Sequence, residues 1–219
     1  MTLDRASALN LVMLGPPGAG KGTQAERFAQ KHAVPKISTG DILREAVTAQ
    51  TAMGIAARQV MDAGRLVGDD IMIGIVSERL AREDAKAGFV LDGFPRTVRQ
   101  AEALDGMLGI QPLVVVDIVV PEETLVRRLA SRRMCTACGH SALPEVKGCP
   151  KCGGELVVRV DDGAGIVIER LRIYMEQTAP IVQFYRNRRG FRAIDGTATP
   201  EEVQTAICDA VTAVAGGVA

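Results

Sequence analysis

Apolar residues gather along the chain in short unbroken runs, separated by longer stretches in which they recur every three or four positions. The unbroken runs lie at Leu9 to Leu14, Phe89 to Leu91, Leu113 to Val120 and Phe191 to Ile194, with a briefer one at Lys36 to Ser38. Being apolar throughout rather than at alternate positions, they predict strands buried on both faces. Residues 69 to 85 carry Ile71, Ile75, Val76 and Leu80 on one side of a predicted helix. Residues 199 to 215 do the same with Val203, Ala206, Ile207, Ala210, Val211 and Val214, and Pro200 stands where a first helical turn tolerates it. Strands alternating with helices predict an α/β fold whose parallel sheet is covered on both faces. In such sheets ligands gather at the carboxyl ends of the strands. Two stretches break the alternation: residues 38 to 67 are two helical segments without a strand, and residues 134 to 164 are rich in Gly, Cys and Pro. Both are expected to be insertions over the sheet edge.

The first strand runs directly into Gly15-Pro-Pro-Gly-Ala-Gly-Lys-Gly-Thr23. Gly15, Gly18, Gly20 and Gly22 lack a Cβ, so the backbone can curl with its N–H groups inward while the next helix offers its positive end to the same anion. Lys21 adds a mobile charge for the β- and γ-phosphates, and Thr23 can turn a hydroxyl towards Mg²⁺. The match to G-x4-G-K-[ST] departs at one position, where Gly22 stands for Ser or Thr and the Thr follows one residue later. An ordinary glycine turn before a helix is the alternative. The preceding strand, the lysine and the helical continuation to Lys31 favour the phosphate cradle. The run that ends in Asp92 is expected beside this loop, where that carboxylate could hold magnesium directly or through water, or cap a turn before Gly93.

At 219 residues the chain suits one domain with elaborations. With 26 basic and 26 acidic residues it has no global footprint for nucleic acid or an anionic membrane, so local basic clusters need local reasons. The longest apolar run is too short to cross a bilayer. Asp4 and Arg5 precede only a short apolar stretch, unlike a secretory leader, and a soluble cytoplasmic protein is expected. Aromatic residues make up only 3% with no Trp, which leaves the packing to aliphatic side chains.

Cys135-Thr-Ala-Cys138-Gly and Cys149-Pro-Lys-Cys152-Gly-Gly form two C-x2-C knuckles separated by ten residues. Each short gap lets both thiolates of a pair reach one Zn²⁺ at about 2.3 Å, and the glycines permit the turn that aims amides at sulfur. Two disulfides, which a cytoplasmic chain disfavours, or free thiols are the alternatives. Four protein ligands leave no open position, so the metal is expected to be structural. His140 could replace a thiolate, but four cysteines already complete the shell. Cys208 is most simply a small core residue of the last helix, and His32 is expected at the surface.

Arg44, Arg65, Arg96, Arg128, Arg132, Arg159 and Arg170 match phosphate oxygens with their guanidinium forks. A lone arginine is usually a solvated face. Arg96, however, ends Leu-Asp-Gly-Phe-Pro-Arg after a buried run, and Arg132 with Arg133 closes the helix of residues 121 to 131. In a neutral chain such placements imply a highly anionic ligand, and two phosphate chains would account for their number.

Gly15-Pro-Pro-Gly-Ala-Gly-Lys-Gly-Thr-Gln24, Ile37-Ser-Thr-Gly-Asp-Ile-Leu-Arg44, Leu91-Asp-Gly-Phe-Pro-Arg-Thr97 with Gln100, Arg132-Arg133, Arg159-Val-Asp-Asp162, Arg170-Leu and Thr178-Ala-Pro180 together resemble the adenylate kinase family, bacterial type with a zinc-bearing four-cysteine lid. The resemblance covers essentially the whole chain and explains Gly22, since that family's loop ends Gly-Lys-Gly-Thr. It implies a three-layer P-loop fold with a five-stranded parallel sheet and reversible phosphoryl transfer from MgATP to AMP, giving two ADP. By it, residues 1–37, 68–130 and 166–219 form the core, 38–67 a helical AMP-binding insertion and 131–165 a zinc-ribbon-like lid. Gly18, Ala19, Gly20, Lys21, Gly22 and Thr23 would bind ATP phosphates, Arg128 and Arg132 would contact ATP from the lid side, and the backbone near Ala198 would face its base. Thr39, Arg44, Arg65, Leu66, Val67, Gly93, Phe94, Pro95, Arg96 and Gln100 would hold AMP, Gln100 reading the adenine edge. Arg159 and Arg170 would bridge the phosphates being exchanged. Lys21, Asp92, Arg96, Arg132, Arg159 and Arg170 make up the implied catalytic set, with Mg²⁺ carried by ATP and a structural Zn²⁺ on the four cysteines.

The chain departs from the family between the knuckles, where a longer hairpin with Thr-Tyr is usual and only Gly139 to Gly148 intervene, Ser141-Ala142 taking the matching place. After Asp161-Asp162, Gly163-Ala164-Gly165 replace the usual acidic residues and are expected to loosen the lid hinge. A kinase for UMP or CMP is the rival within the class, against which Thr39, Gln100 and the long lid favour AMP. A nucleotide-dependent switch would want an Asn-Lys-x-Asp motif, and the only asparagines are Asn10 and Asn187. A zinc-ribbon nucleic-acid module is opposed by zero net charge and few aromatics. No heptad or large apolar stripe is present, so a monomer is expected.

Overall fold

The computed structural model describes residues 9–142, 146–159 and 162–215. Asp4, Arg5 and Asp161, which figure in the sequence analysis, lie outside these. Five strands, β1 (Leu9–Leu14), β2 (Lys36–Ser38), β3 (Gly88–Asp92), β4 (Leu113–Val119) and β8 (Phe191–Asp195), form one sheet in the order β2-β3-β1-β4-β8. Every pairing in it is parallel. The unbroken apolar runs are what a doubly covered parallel sheet requires: in β1, Leu11 and Val12 are fully buried and face opposite layers.

On one face Leu11, Met13, Val116 and Ile118 pack against Phe28 of α1 (Lys21–His32), Leu125 of α6 (Glu122–Ser131) and Val203, Ile207 and Val211 of α9 (Pro200–Ala215). On the other, Val12, Leu91 and Val115 meet Leu43 of α2 (Thr39–Thr48), Met72 and Val76 of α4 (Asp69–Leu80), Leu104 of α5 (Val98–Leu108) and Tyr185 of α8 (Ala179–Tyr185). The result is the expected helix-sheet-helix sandwich.

The predicted helix over 69 to 85 is a correction. It stops at Leu80, and a short 3-10 turn covers Glu83–Ala85, where Asp84 accepts two bonds from Arg79 at 2.7 and 2.9 Å. Its buried stripe runs through Met72 and Val76, so Ile71 falls outside it and is 47% exposed. His32 is a second correction: it is half-buried and stacks on Phe28 with ring centroids 4.2 Å apart.

Both stretches that break the alternation fold as additions to the sheet. Residues 38 to 67 form α2 and α3 (Ala52–Asp62), each opened by a hydroxyl cap, Ser38 accepting from the Asp41 amide and Thr51 from that of Gly54. The cysteine-rich stretch forms a separate antiparallel sheet in the order β6-β5-β7, from β5 (Arg133–Cys135), β6 (Ser141–Ala142) and β7 (Leu156–Val158). Gly163 then caps α7 (Ala164–Ile173), which continues through a π-helical turn, Tyr174–Thr178, into α8.

Candidate functional site

β1 is flanked by β3 on one side and β4 on the other, so the chain leaving it emerges at the point where the winding direction of the sheet reverses. There Gly15, Gly18 and Gly20 take positive φ, and Gly20 caps α1 from a left-handed conformation. The first amides of α1 therefore open onto the loop. Lys21 Nζ lies over the same loop, donating to the carbonyls of Gly15 at 2.7 Å and Pro16 at 2.9 Å. Burial pushes its ammonium down to about 8, with Asp92 pulling upward and Arg96, Arg170 and Arg132 adding to the depression.

Met13 pairs with Asp92 in the β1–β3 register, which sets that carboxylate beside the loop as the sequence predicted. A Cβ on Gly22 would sit 3.2 Å from Asp92 Oδ2. This close approach supplies a physical reason for the glycine where the general motif has Ser or Thr. Thr23 is exposed one residue further along α1.

The opposite wall of the same cleft is built from the ends of β2 and β3 and from α2. Thr39, 1% exposed, donates its hydroxyl to Gly93 O at 2.8 Å, and Arg96 Nε donates to the same carbonyl at 2.8 Å. Gly93 has φ of 82°, and a Cβ there would come within 2.9 Å of Thr39 Oγ1 and 3.0 Å of Arg96 Nη2, so glycine is needed both for its conformation and for its size. Phe94 is buried behind it and the Phe94–Pro95 peptide is cis. Thr178, at the end of the π-helical turn, donates to Arg96 O at 2.9 Å. Arg44 folds back over Gly40 and donates to Asp41.

Gln100 is 1% exposed, with Oε1 accepting from the Arg96 amide at 2.8 Å and Nε2 donating to Asp69 Oδ1 at 2.7 Å. One N–H and one lone pair of this amide remain for a ligand. The cleft joins Lys21 to Thr39, Arg44, Arg65, Leu66, Val67, Gly93, Pro95, Arg96, Gln100, Arg159 and Arg170, with Tyr174 and Thr178 completing its lining.

Arg132 and Arg170 meet on Asp162, whose side chain is 0% exposed. Arg132 donates through Nε at 2.7 Å and Nη2 at 2.6 Å, and Arg170 through Nη1 at 2.8 Å. Two guanidinium groups from different elements are thereby aimed by a single carboxylate. Arg128 lies outside the cleft lining and donates to Gly196 O at 2.9 Å, tying α6 to the loop that carries the half-buried Ala198. Gly18 and the buried Ala19 also lie outside that lining, on the loop's side towards Leu125 and Leu129 for Gly18.

The four knuckle cysteines converge, all their Sγ atoms lying within 4.8 Å of one another. Cys135 and Cys149 are buried, Cys138 and Cys152 exposed. Each knuckle closes by a backbone bond from the following glycine, Gly139 N to Cys135 O at 3.0 Å and Gly153 N to Cys149 O at 2.8 Å. A compact set of four thiols, unpaired as disulfides, fits a soft tetrahedral cation.

Three features were missed by the sequence analysis, two of them without a local signature. Asp162 stands there only as one member of Arg-Val-Asp-Asp, and nothing local marks it as the anchor of two arginines. The π-helical turn that brings Tyr174 and Thr178 to the cleft has no sequence signature beyond Pro180. Asp117 has one: it is the lone charge in the β4 run. It is 8% exposed, its Oδ1 has no hydrogen-bond partner among the described residues, and burial raises its pKa while Lys21 pulls it down.

Comparison with known proteins agrees with this arrangement. The family model described as adenylate kinase matches residues 13–190. The adenylate kinase of Archaeoglobus fulgidus is 48% identical over 204 residues, covering 89% of this chain and 94% of the relative. That of Moorella thermoacetica is 49% identical over 208 residues, covering 91% and 96%, and that of Syntrophobacter fumaroxidans 46% over 217 residues, covering 95% and 100%. With a glycine loop and its lysine facing a second, arginine-lined wall across one cleft, and with relatives matched nearly end to end, this chain belongs to the adenylate kinase family.

Proposed function

We infer that this chain catalyses reversible phosphoryl transfer from MgATP to AMP, giving two ADP. What carries the reading is the meeting of Lys21 with Arg44, Arg96, Arg159 and Arg170 in a single cleft. A lone phosphate cradle needs one cation, whereas this cleft is built for two polyanions end to end. ATP phosphates bind the amides from Gly18 to Thr23, with its base near Ala198 and Arg128 at that edge. AMP lies between Thr39, Arg44, Arg65 to Val67 and Gly93 to Arg96, with Gln100 offering its remaining N–H and lone pair to the adenine. Asp92 and Thr23 are the groups suited to hold the magnesium carried by ATP, which neutralises charge on the phosphates.

In-line transfer asks little covalent chemistry of the protein, so alignment and charge neutralisation do the work. Lys21 and the arginines supply preorganised positive charge where negative charge develops. Residues 38–67 act as the AMP-binding insertion and 131–165 as a lid, on a core of 1–37, 68–130 and 166–219. Their closure excludes water, which would otherwise compete as nucleophile, and lid motion in adenylate kinases is a standard example of such gating. Gly163 and Gly165 loosen its hinge. Zn²⁺ on Cys135, Cys138, Cys149 and Cys152 staples the lid. On this reading the protein acts as a cytoplasmic monomer, and its balanced charge gives no global footprint for nucleic-acid or membrane partners; no described helix is long and apolar enough to cross a membrane.

The deciding assay couples ADP formation to MgATP with AMP, CMP, UMP and GMP in turn. AMP is expected to be the preferred acceptor by a wide margin; equal use of UMP or CMP would replace this reading with a broader monophosphate kinase. A mimic joining two adenosines through five phosphates is expected to bind as one ligand spanning both walls.

Lys21 also sets a pH dependence. The free side chain titrates near 8, and a bound phosphate chain favours the ammonium, so the complex keeps a proton that the free protein loses above that pH. ATP affinity is therefore level below pH 8 and weakens above it by up to about tenfold per pH unit. Calorimetry at pH 8.5 in buffers of different ionisation enthalpy should register proton uptake on binding; a buffer-independent enthalpy would contradict the assignment.

Removing the lid metal has a separate signature. A chelator, or Cys149→Ser, is expected to lower the thermal midpoint by about 10 °C, as loss of a bound ion that holds only the folded lid. Metal analysis of the untreated protein should return one zinc per chain.

A further inference from the structure

We propose that Glu26 and Lys36 are positioning residues that tie lid closure to the setting of the AMP arginine, Arg44. The inference rests on the functional reading above, in which Arg44 takes the AMP phosphate.

Lys151 lies inside the second cysteine knuckle, yet its Nζ is 2.7 Å from Glu26 Oε1 on α1, 125 residues away in sequence. The other oxygen, Glu26 Oε2, is 3.7 Å from Lys36 Nζ on β2. That ammonium is in turn 3.8 Å from Asp41 Oδ2 on α2. Asp41 Oδ1 accepts from Arg44 Nη2. Five side chains of alternating sign thus run from the cysteine-rich segment to the acceptor wall: Lys151, Glu26, Lys36, Asp41, Arg44. Gln30 also donates to Glu26 Oε1, at 2.9 Å, which keeps that carboxylate in place when Lys151 departs.

Charge alternation gives the coupling its direction. With the lid down, Lys151 shares the Glu26 charge, Lys36 is freer to serve Asp41, and Asp41 holds Arg44 less tightly. Arg44 is then more available to a phosphate. With the lid lifted, Glu26 draws Lys36 to itself and Asp41 reclaims the arginine. The same chain works in reverse, since coupling between two binding events is reciprocal: an AMP phosphate that takes Arg44 from Asp41 frees Glu26 for Lys151 and favours closure. Each link is partly exposed, so the expected coupling is modest, a few-fold in affinity rather than orders of magnitude.

The test uses the full chain and measures AMP affinity by calorimetry with and without a non-hydrolysable ATP analogue. In the wild type the analogue is expected to tighten AMP binding. Lys151→Gln and Glu26→Gln should each reduce that tightening about threefold, the pair together no more than either alone, and Lys151→Arg should restore it. Failure of the wild type to bind AMP at all would overturn the functional reading and this coupling with it. AMP bound by the wild type with an unchanged ratio in both variants, or with additive losses in the double variant, would overturn the coupling alone.

Discussion

Lys21→Met is expected to lower kcat/KM for ADP formation by about a thousandfold, the scale for removing one preorganised charge from a phosphoryl-transfer site. Methionine keeps the length and most of the apolar stem, so the loss isolates the ammonium. That ammonium lies on the carbonyls of Gly15 and Pro16, where a phosphate oxygen is the obvious competitor for its N–H groups. The thermal midpoint at pH 7 should not fall. A lysine whose pKa in the fold is held down near 8 is charged at a cost to stability below that pH, and the substitution relieves the cost. Steady-state kinetics beside a melting curve provides the check. Turnover within tenfold of the wild type would remove Lys21 from the mechanism, and a collapse of the melt would assign it to the fold instead.

Asp162→Ala is the second large effect, and its signature is double. The carboxylate is wholly buried and receives three N–H bonds, two from Arg132 and one from Arg170. Breaking a buried, hydrogen-bonded charge pair costs about 3–5 kcal/mol, because the cations left behind have already given up their water. Urea melts should record a loss of that order. Turnover should also fall about a hundredfold, with kcat affected more than KM, if the two guanidinium groups it holds take the roles proposed above for Arg132 at ATP and Arg170 between the exchanged phosphates. Asp162→Asn, of the same shape, separates the two losses: it keeps acceptor oxygen for one arginine while removing the charge that both share. Wild-type turnover in the asparagine variant would show that Asp162 anchors the fold without orienting the arginines.

These two residues differ in how they could be found. Lys21 sits in a segment whose neighbours already specify its role, since an apolar run, glycines and a helix start all fall within thirteen positions. Asp162 acts through partners thirty and eight residues away, on two other elements, and looks locally like any acidic residue beside a glycine. The same contrast separates the cysteine knuckles, legible from spacing, from Lys151, which lies between two of the cysteines and whose ion partner on α1 no spacing rule suggests. Helix faces stand in between. Period 3.6 found the buried stripe of α9 and, in α4, Val76 with the half-buried Ile75 and Leu80, but it also chose Ile71, where packing turned Met72 inward instead.

The order of apolar runs and helical periods by itself determined the α/β alternation and the doubly buried strands, and residue spacing determined the glycine loop and the four-thiol cluster. Each of these depends on residues close together along the chain, where backbone geometry and spacing leave few alternatives. Only the tertiary structure decided that Asp162 gathers Arg132 and Arg170, that a π-helical turn carries Thr178 to the Arg96 carbonyl, and that Lys151 reaches Glu26. Those pairings are set by how whole layers pack and cross. A charge finds its partner only after the apolar faces have fixed where the helices lie.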